Sequence, residues 1–280
     1  MSEYRKIGYL HDNFKIFHLT DSNHREFTYH YHDFNKILIL LSGDVTYHIE
    51  GRSYDLKPYD IVFVNAGEVH KPIIHSDVPY ERIIIYVSTD FLTSYQKEAA
   101  DLNTCFMQAH SEQSHVLRIK SFPSSRLNYC VGRLEASLHD KEFAGELYQE
   151  VLFLEFMIEL NRAALCDDIS YISNTSANKT ILSIIEYLNE NLTEDISIDA
   201  LAERFFLSRY YLMHAFKEET GYTVGNYLAT KRLLLAKDLI AAGKPITEVC
   251  YACGYKNYST FSRAYKKNFG KSPRDLNTEK

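Results

Sequence analysis

Ile196-Ser-Ile-Asp-Ala-Leu-Ala-Glu-Arg-Phe205, then Phe206-Leu207, then Ser208-Arg-Tyr-Tyr-Leu-Met-His-Ala-Phe-Lys217 is the stretch on which the reading of this 280-residue chain turns. Ile198, Leu201, Ala202 and Phe205 recur at three- and four-residue steps, which predicts a short helix with one apolar side. Ser197 can cap its start. Phe206-Leu207 leaves room only for a tight turn, after which Ser208 can cap a second helix, Arg209–Glu219, with Leu212 and Phe216 facing inward. Two short helices joined so closely, the second polar on its outer face, make a helix-turn-helix.

The pattern recurs. Ile246–Ala252 is another short apolar-striped helix, Gly254-Tyr255 occupies the turn, and Asn257 can cap Tyr258–Phe269 with Phe261, Tyr265 and Phe269 inward. Each unit carries an aromatic-Lys pair, Phe216-Lys217 and Tyr265-Lys266, at the same offset. A single such hairpin is weak evidence; two in register are much stronger. Thr223–Ala242 between them, lined by Leu228, Leu235 and Leu239 and closed by Gly243 and Pro245, reads as a long linker helix. Such a rod spans roughly 30 Å at 1.5 Å per residue, close to the ~34 Å between successive major-groove faces on one side of B-DNA.

These residues, together with Gly254-Tyr-Lys-Asn-Tyr-Ser-Thr-Phe-Ser-Arg-Ala-Tyr-Lys-Lys-Asn-Phe-Gly-Lys-Ser-Pro273, resemble the DNA-binding signature of the AraC/XylS family of transcriptional regulators over about residues 179–276. The resemblance implies two helix-turn-helix units reading adjacent major-groove segments of double-stranded DNA. Activation is commoner than repression in such regulators, which would make RNA polymerase a partner. One departure is Phe206, at a turn position where many such units carry Gly: either the turn differs locally or the first unit is strained. The outward residues nearest the start of each second helix are the expected base contacts, Tyr210, Met213 and His214 in the first unit and Tyr258, Ser259 and Ser262 in the second. Arg263 suits guanine or phosphate; Arg209, Lys217, Lys256, Lys266 and Lys267 suit the phosphate backbone.

From Phe27 to about Val87 the chain reads as short strands: Tyr29–His32, Lys36–Leu41, Val45–Glu50, Asp60–Val64 and Arg82–Val87, with breakers such as Ser42-Gly-Asp and Asn65-Ala-Gly between them. Their spacing predicts a sandwich or barrel. His30-Tyr-His32 and the later His70 resemble the two motifs of the cupin fold. Lys36 stands where the metal-binding cupins have a Glu ligand, and an ammonium repels a cation, so no metal, cofactor or catalytic residue is expected. His30, His32, Lys36 and His70 are instead read as contacts for a small-molecule effector, a sugar or organic acid. A metal-dependent cupin enzyme and a constitutive architectural DNA protein are the competing readings.

Two helices, Ser124–Asp140 and Phe143–Ala164, follow the strands. Leu147, Val151, Leu154 and Ile158 form the stripe expected to pack inward, widened by Phe153, Phe156 and Leu160, and the surplus apolar surface suggests a homodimer. The fold class expected is thus α+β in two domains: a cupin-like barrel with its helices over 1–166, a polar linker over 167–178, and an all-α DNA-binding domain over 179–280.

Composition agrees. The net charge of −6 hides an asymmetry, −9 over residues 1–178 against +3 over 179–280, too small to force DNA binding by bulk charge. Five scattered cysteines, no apolar run of membrane length and no leader-like start point to a cytoplasmic protein with no membrane partner. The Cys250/Cys253 pair, without a second such pair or a His pair nearby, reads as small core residues rather than a metal or redox motif.

Overall fold

A computed structural model describes residues 6–8, 10, 12–21, 26–98, 100–166, 169–175 and 177–275. The chain divides into two compact units, one holding Ile7–Thr28 and His32–Ser176 and the other holding Lys6, Tyr29–Tyr31 and Ala177–Lys280. Together they form the α+β, two-domain arrangement expected.

In the first unit two antiparallel sheets face each other. One has the order β1 (Phe14–Asp21), β7 (Tyr80–Val87), β2 (Asn35–Ser42), β5 (Ile61–Val64), β8 (Val116–Ile119), β9 (Ile169–Tyr171). The other has the order β4 (Arg52–Asp55), β3 (Val45–Ile49), β6 (His70–Ile74). The period-two alternation of side chains sorts β2 into two cores. Leu38 and Leu40 point between the sheets with Val45, Tyr47, Ile49, Tyr80 and Ile84. Ile37 and Ile39 point the other way, to a core shared with α1 (Thr89–Ser94), α2 (Thr104–Ser111), α3 (Arg126–Ala136) and α4 (Gly145–Ala164). Residues 35–40 are consequently buried on both faces, which is why this strand reads as a continuous apolar run rather than an alternating one.

Three expectations need correction. Tyr29–His32 is no strand: it contains only isolated bridging residues, the aromatic alternation having imitated a sheet pattern. Part of the stretch read as linker is ordered, because Ile169–Tyr171 adds an edge strand to β8. On α4 the buried residues are Leu152, Phe153, Phe156, Met157, Leu160, Asn161 and Ala164. Leu147, Val151 and Ile158 lie on the opposite face, 63%, 52% and 42% exposed. Apolar residues recur on more than one side of this helix, so periodicity alone cannot choose its inward side.

The second unit is helical: α5 (Lys179–Glu190), α6 (Ile198–Arg204), α7 (Arg209–Thr220), α8 (Val224–Ala241), α9 (Ile246–Ala252) and α10 (Tyr258–Phe269). Among the described residues no helix is long and apolar enough to cross a membrane.

Candidate nucleic-acid interface and barrel interior

Local chemistry builds the two helix pairs almost identically. The side chains of Ser197, Ser208 and Asn257 accept backbone N–H bonds from Ala200, Tyr211 and Thr260, capping α6, α7 and α10 as the sequence predicts. α6 ends with Phe206 N–H donating to Glu203 O and Leu207 N–H to Ala202 O; α9 ends with Gly254 N–H donating to Tyr251 O and Tyr255 N–H to Cys250 O. Both are Schellman closures, whose first residue past the cap must be left-handed. That residue is Gly254 (φ 77°) in the second unit and Phe206 (φ 54°) in the first, so of the two alternatives the strained turn is the one found. The second turn is one residue longer: α9 follows α6 by 48 positions and α10 follows α7 by 49.

Leu212, Phe216, Phe261 and Tyr265 are fully buried, as expected of the inward positions, and Cys250 and Cys253 join them as core residues. Burial pushes the Cys253 thiol up to about 11, leaving it a small apolar side chain at neutral pH. α8, 18 residues long, spans about 27 Å.

On the outward face of α7, Arg209, Tyr210, Met213, His214 and Lys217 are all exposed, with the Tyr210 ring stacked on His214 at 5.0 Å. Arg209 makes a 3.2 Å ion pair with Asp199, and Lys256 a 2.7 Å pair with Asp195. Both pairs are solvent-exposed, hence weak and readily exchanged for a phosphate. On α10, Ser259, Arg263, Lys266 and Lys267 are exposed. Tyr258 and Ser262 are half-buried: Tyr258 packs near Phe261, and the Arg274 guanidinium lies 5.8 Å from its ring centre.

The sequence reading passed over Thr260, exposed in the first turn of α10, and Arg232. Arg232 lies on α8, where its Nε and terminal nitrogens donate to the carbonyls of Leu192, Glu194 and Gly254, tying the loop before α6 to the turn of the second unit. Nothing in its local spacing distinguishes it from the neighbouring Lys231.

In the first unit, the register Lys36↔Tyr86 and Leu40↔Arg82 puts Lys36, Tyr86 and Arg82 on the inner face of the large sheet. Tyr47 and His70 enter from the smaller one. Lys36 Nζ donates to Tyr47 Oη at 2.9 Å and approaches His70 Nε2 at 3.3 Å. His70 Nδ1 lies 3.0 Å from the Glu68 carbonyl and so carries the proton, leaving Nε2 to accept from Lys36. His32 lies 4.9 Å from His70, ring to ring, and its Nδ1 contacts the Ile7 carbonyl. His30 is buried and groups with the second unit. Burial first, and then the Arg82 guanidinium, pushes the Lys36 amine down to about 7. Arg82 is itself buried, paired with Asp21 at 2.5 Å and stacked 4.1 Å from the Tyr80 ring centre. Burial raises the Tyr47 and Tyr86 phenols, which stay neutral.

Residues 16–149 match the AraC-like ligand binding domain and residues 201–279 match a helix-turn-helix domain. The HTH-type transcriptional activator RhaS of Shigella sonnei is 26% identical over 254 residues, 90% of this chain and 87% of that protein. RhaS of Escherichia coli (strain SMS-3-5 / SECEC) is 25% identical over the same shares. Among solved structures, ToxT from Vibrio cholerae is 15% identical with a TM-score of 0.37, covering 95% of this chain and 98% of that one. With a ligand-binding domain ahead of paired helix-turn-helix units, matched at both ends and along most of its length by regulators, this chain belongs to the AraC family of transcriptional regulators.

Proposed function

We propose that this protein is a cytoplasmic, ligand-responsive activator that binds its operator as a homodimer and engages RNA polymerase there. The observation that carries the reading is the repeat of capped helix pairs, whose second helices present polar and aromatic side chains outward while their apolar residues form the core. Tyr210, Met213, His214, Ser259 and Arg263 are the proposed base contacts; the half-buried Tyr258 and Ser262 have less reach. Arg209, Lys217, Lys256, Lys266 and Lys267 are proposed to hold phosphates. The effector is proposed to lie between the two sheets against His32, Lys36 and His70, and to shift the population of the DNA-competent state.

Footprinting followed by quantitative titration tests the interface. Arg263→Ala should cost about 1–3 kcal/mol at one base position and relax the preference there. Lys217→Ala should weaken all sequences alike and lower the salt slope by about 0.9. Absence of protected bases on any genomic fragment upstream of the genes it controls would defeat the reading.

The exposed apolar face of α4, with Leu147, Val151 and Ile158, is proposed as the dimer contact. Identical chains can match such a stripe about a two-fold axis. Val151→Lys should turn a dimer into a monomer in light scattering; a wild-type chain that is monomeric at tens of micromolar would remove this part.

A further inference from the structure

The most demanding burial in the first unit is the Lys36 amine. It comes from β2 where both faces of the strand are covered, and among the described residues no carboxylate lies within ion-pair distance of it. Its two acceptors, Tyr47 Oη and His70 Nε2, are neutral. Asp21 on β1, which shares this interior, is engaged by Arg82. A cation taken out of water without a counter-charge is costly, and an apolar side chain of similar length would pack there at less cost. The pairing is completed if the missing negative charge arrives with the ligand.

We propose that the interior between the sheets is an anion site in which Lys36 Nζ holds the carboxylate of a small organic acid, with Tyr47 and Arg82 flanking it. This rests on the effector reading above and narrows it to acids over neutral sugars. A proton then moves with the ligand. Near neutrality the empty site holds a mixture of amine and ammonium. A carboxylate beside it favours the ammonium, so binding above pH 7 takes up a proton. The groups facing the amine do not mask this. They are Arg82, a guanidinium paired with Asp21, the Tyr47 and Tyr86 phenols, which stay neutral, and His70, whose Nε2 accepts from the amine. Affinity is therefore nearly flat just below pH 7 and falls up to tenfold per unit above it.

The test uses the full chain. Thermal melts are recorded at pH 6.5 and 8.5 with acetate, pyruvate, benzoate and octanoate, each beside its neutral amide, and calorimetric titration in two buffers of different ionisation enthalpy counts protons. The expected result is that at least one acid raises the melting temperature while its amide does not, with half-saturation at least tenfold higher at pH 8.5. Lys36→Met should abolish the response to the acid; Lys36→Arg should keep acid binding and lose the proton uptake. The proposal is overturned if no acid shifts the melt, if the amides match the acids, or if Lys36→Met retains the response. Neutral sugars run in parallel separate the two readings. A sugar that shifts both the melt and DNA affinity overturns the acid assignment while leaving a ligand-responsive regulator standing. An acid that binds through Lys36 without changing DNA affinity supports the site and counts against the regulatory reading.

Discussion

Replacing Phe206 by glycine should stabilise the DNA-binding unit even though it deletes an aromatic ring. Phe206 holds the left-handed position of a Schellman closure at φ 54° while its side chain is 95% exposed. A side chain bearing Cβ costs roughly 1–2 kcal/mol in that region. Removing a ring so exposed forfeits almost no burial, on the order of 0.2 kcal/mol. Glycine returns about 0.5–1 kcal/mol of this through its freer unfolded chain. The net gain should be about 0.5 kcal/mol, and each kcal/mol moves the melting temperature of a domain this size by about 4–8 °C. The chain has no Trp, so far-UV circular dichroism and scanning calorimetry are the suitable probes. Phe206→Ala is the control: it removes the ring, keeps the strained backbone and should leave stability near that of wild type. Gly254→Ala probes the same position of the second unit in the opposite direction. Its added Cβ would sit 2.8 Å from the Thr193 carbonyl at φ 77°, and a loss of about 2 kcal/mol is expected. Phe206→Gly no more stable than Phe206→Ala would refute the strain.

In the first unit, Arg118 makes two bonds of 2.6 and 2.7 Å to the fully buried Asp60, so Arg118→Ala should cost about 3 kcal/mol in urea unfolding; a loss below about 1 kcal/mol would mean the carboxylate finds water or another partner. His18 bridges Glu81 at 2.8 Å and Glu135 at 2.7 Å; burial opposes its charge but the two carboxylates outweigh it, and its pKa is raised. Stability from this clamp is complete below about pH 6.5 and disappears as pH rises through the raised value, so the wild-type advantage over His18→Gln should shrink from pH 5 to 8.5. A difference independent of pH would show that the ring acts by packing alone.

The second unit was largely legible because its information is local. Caps at Ser197, Ser208 and Asn257, the inward Leu212/Phe216 and Phe261/Tyr265 pairs, and the closing glycines all act within about four residues along the chain, and periodicity records them directly. Even there, only the folded backbone discloses that one turn is longer and the other strained, since Phe206 tolerates several conformations until Leu207 and Ala202 must bond. The first unit was less legible. β4, β6, β8 and β9 have three to five residues each and are completed by partners far away in sequence, so their own pattern is weak. The side of α4 that is buried depends on which sheet face meets it, a long-range fact that a helix with apolar residues on more than one side does not record. Lys36 makes the contrast clearest. Its position in the chain identifies a cation where a metal ligand would stand, but its lack of a counter-charge arises only when β2, β3, β6 and β7 close around it, because charge compensation is a property of three-dimensional neighbours.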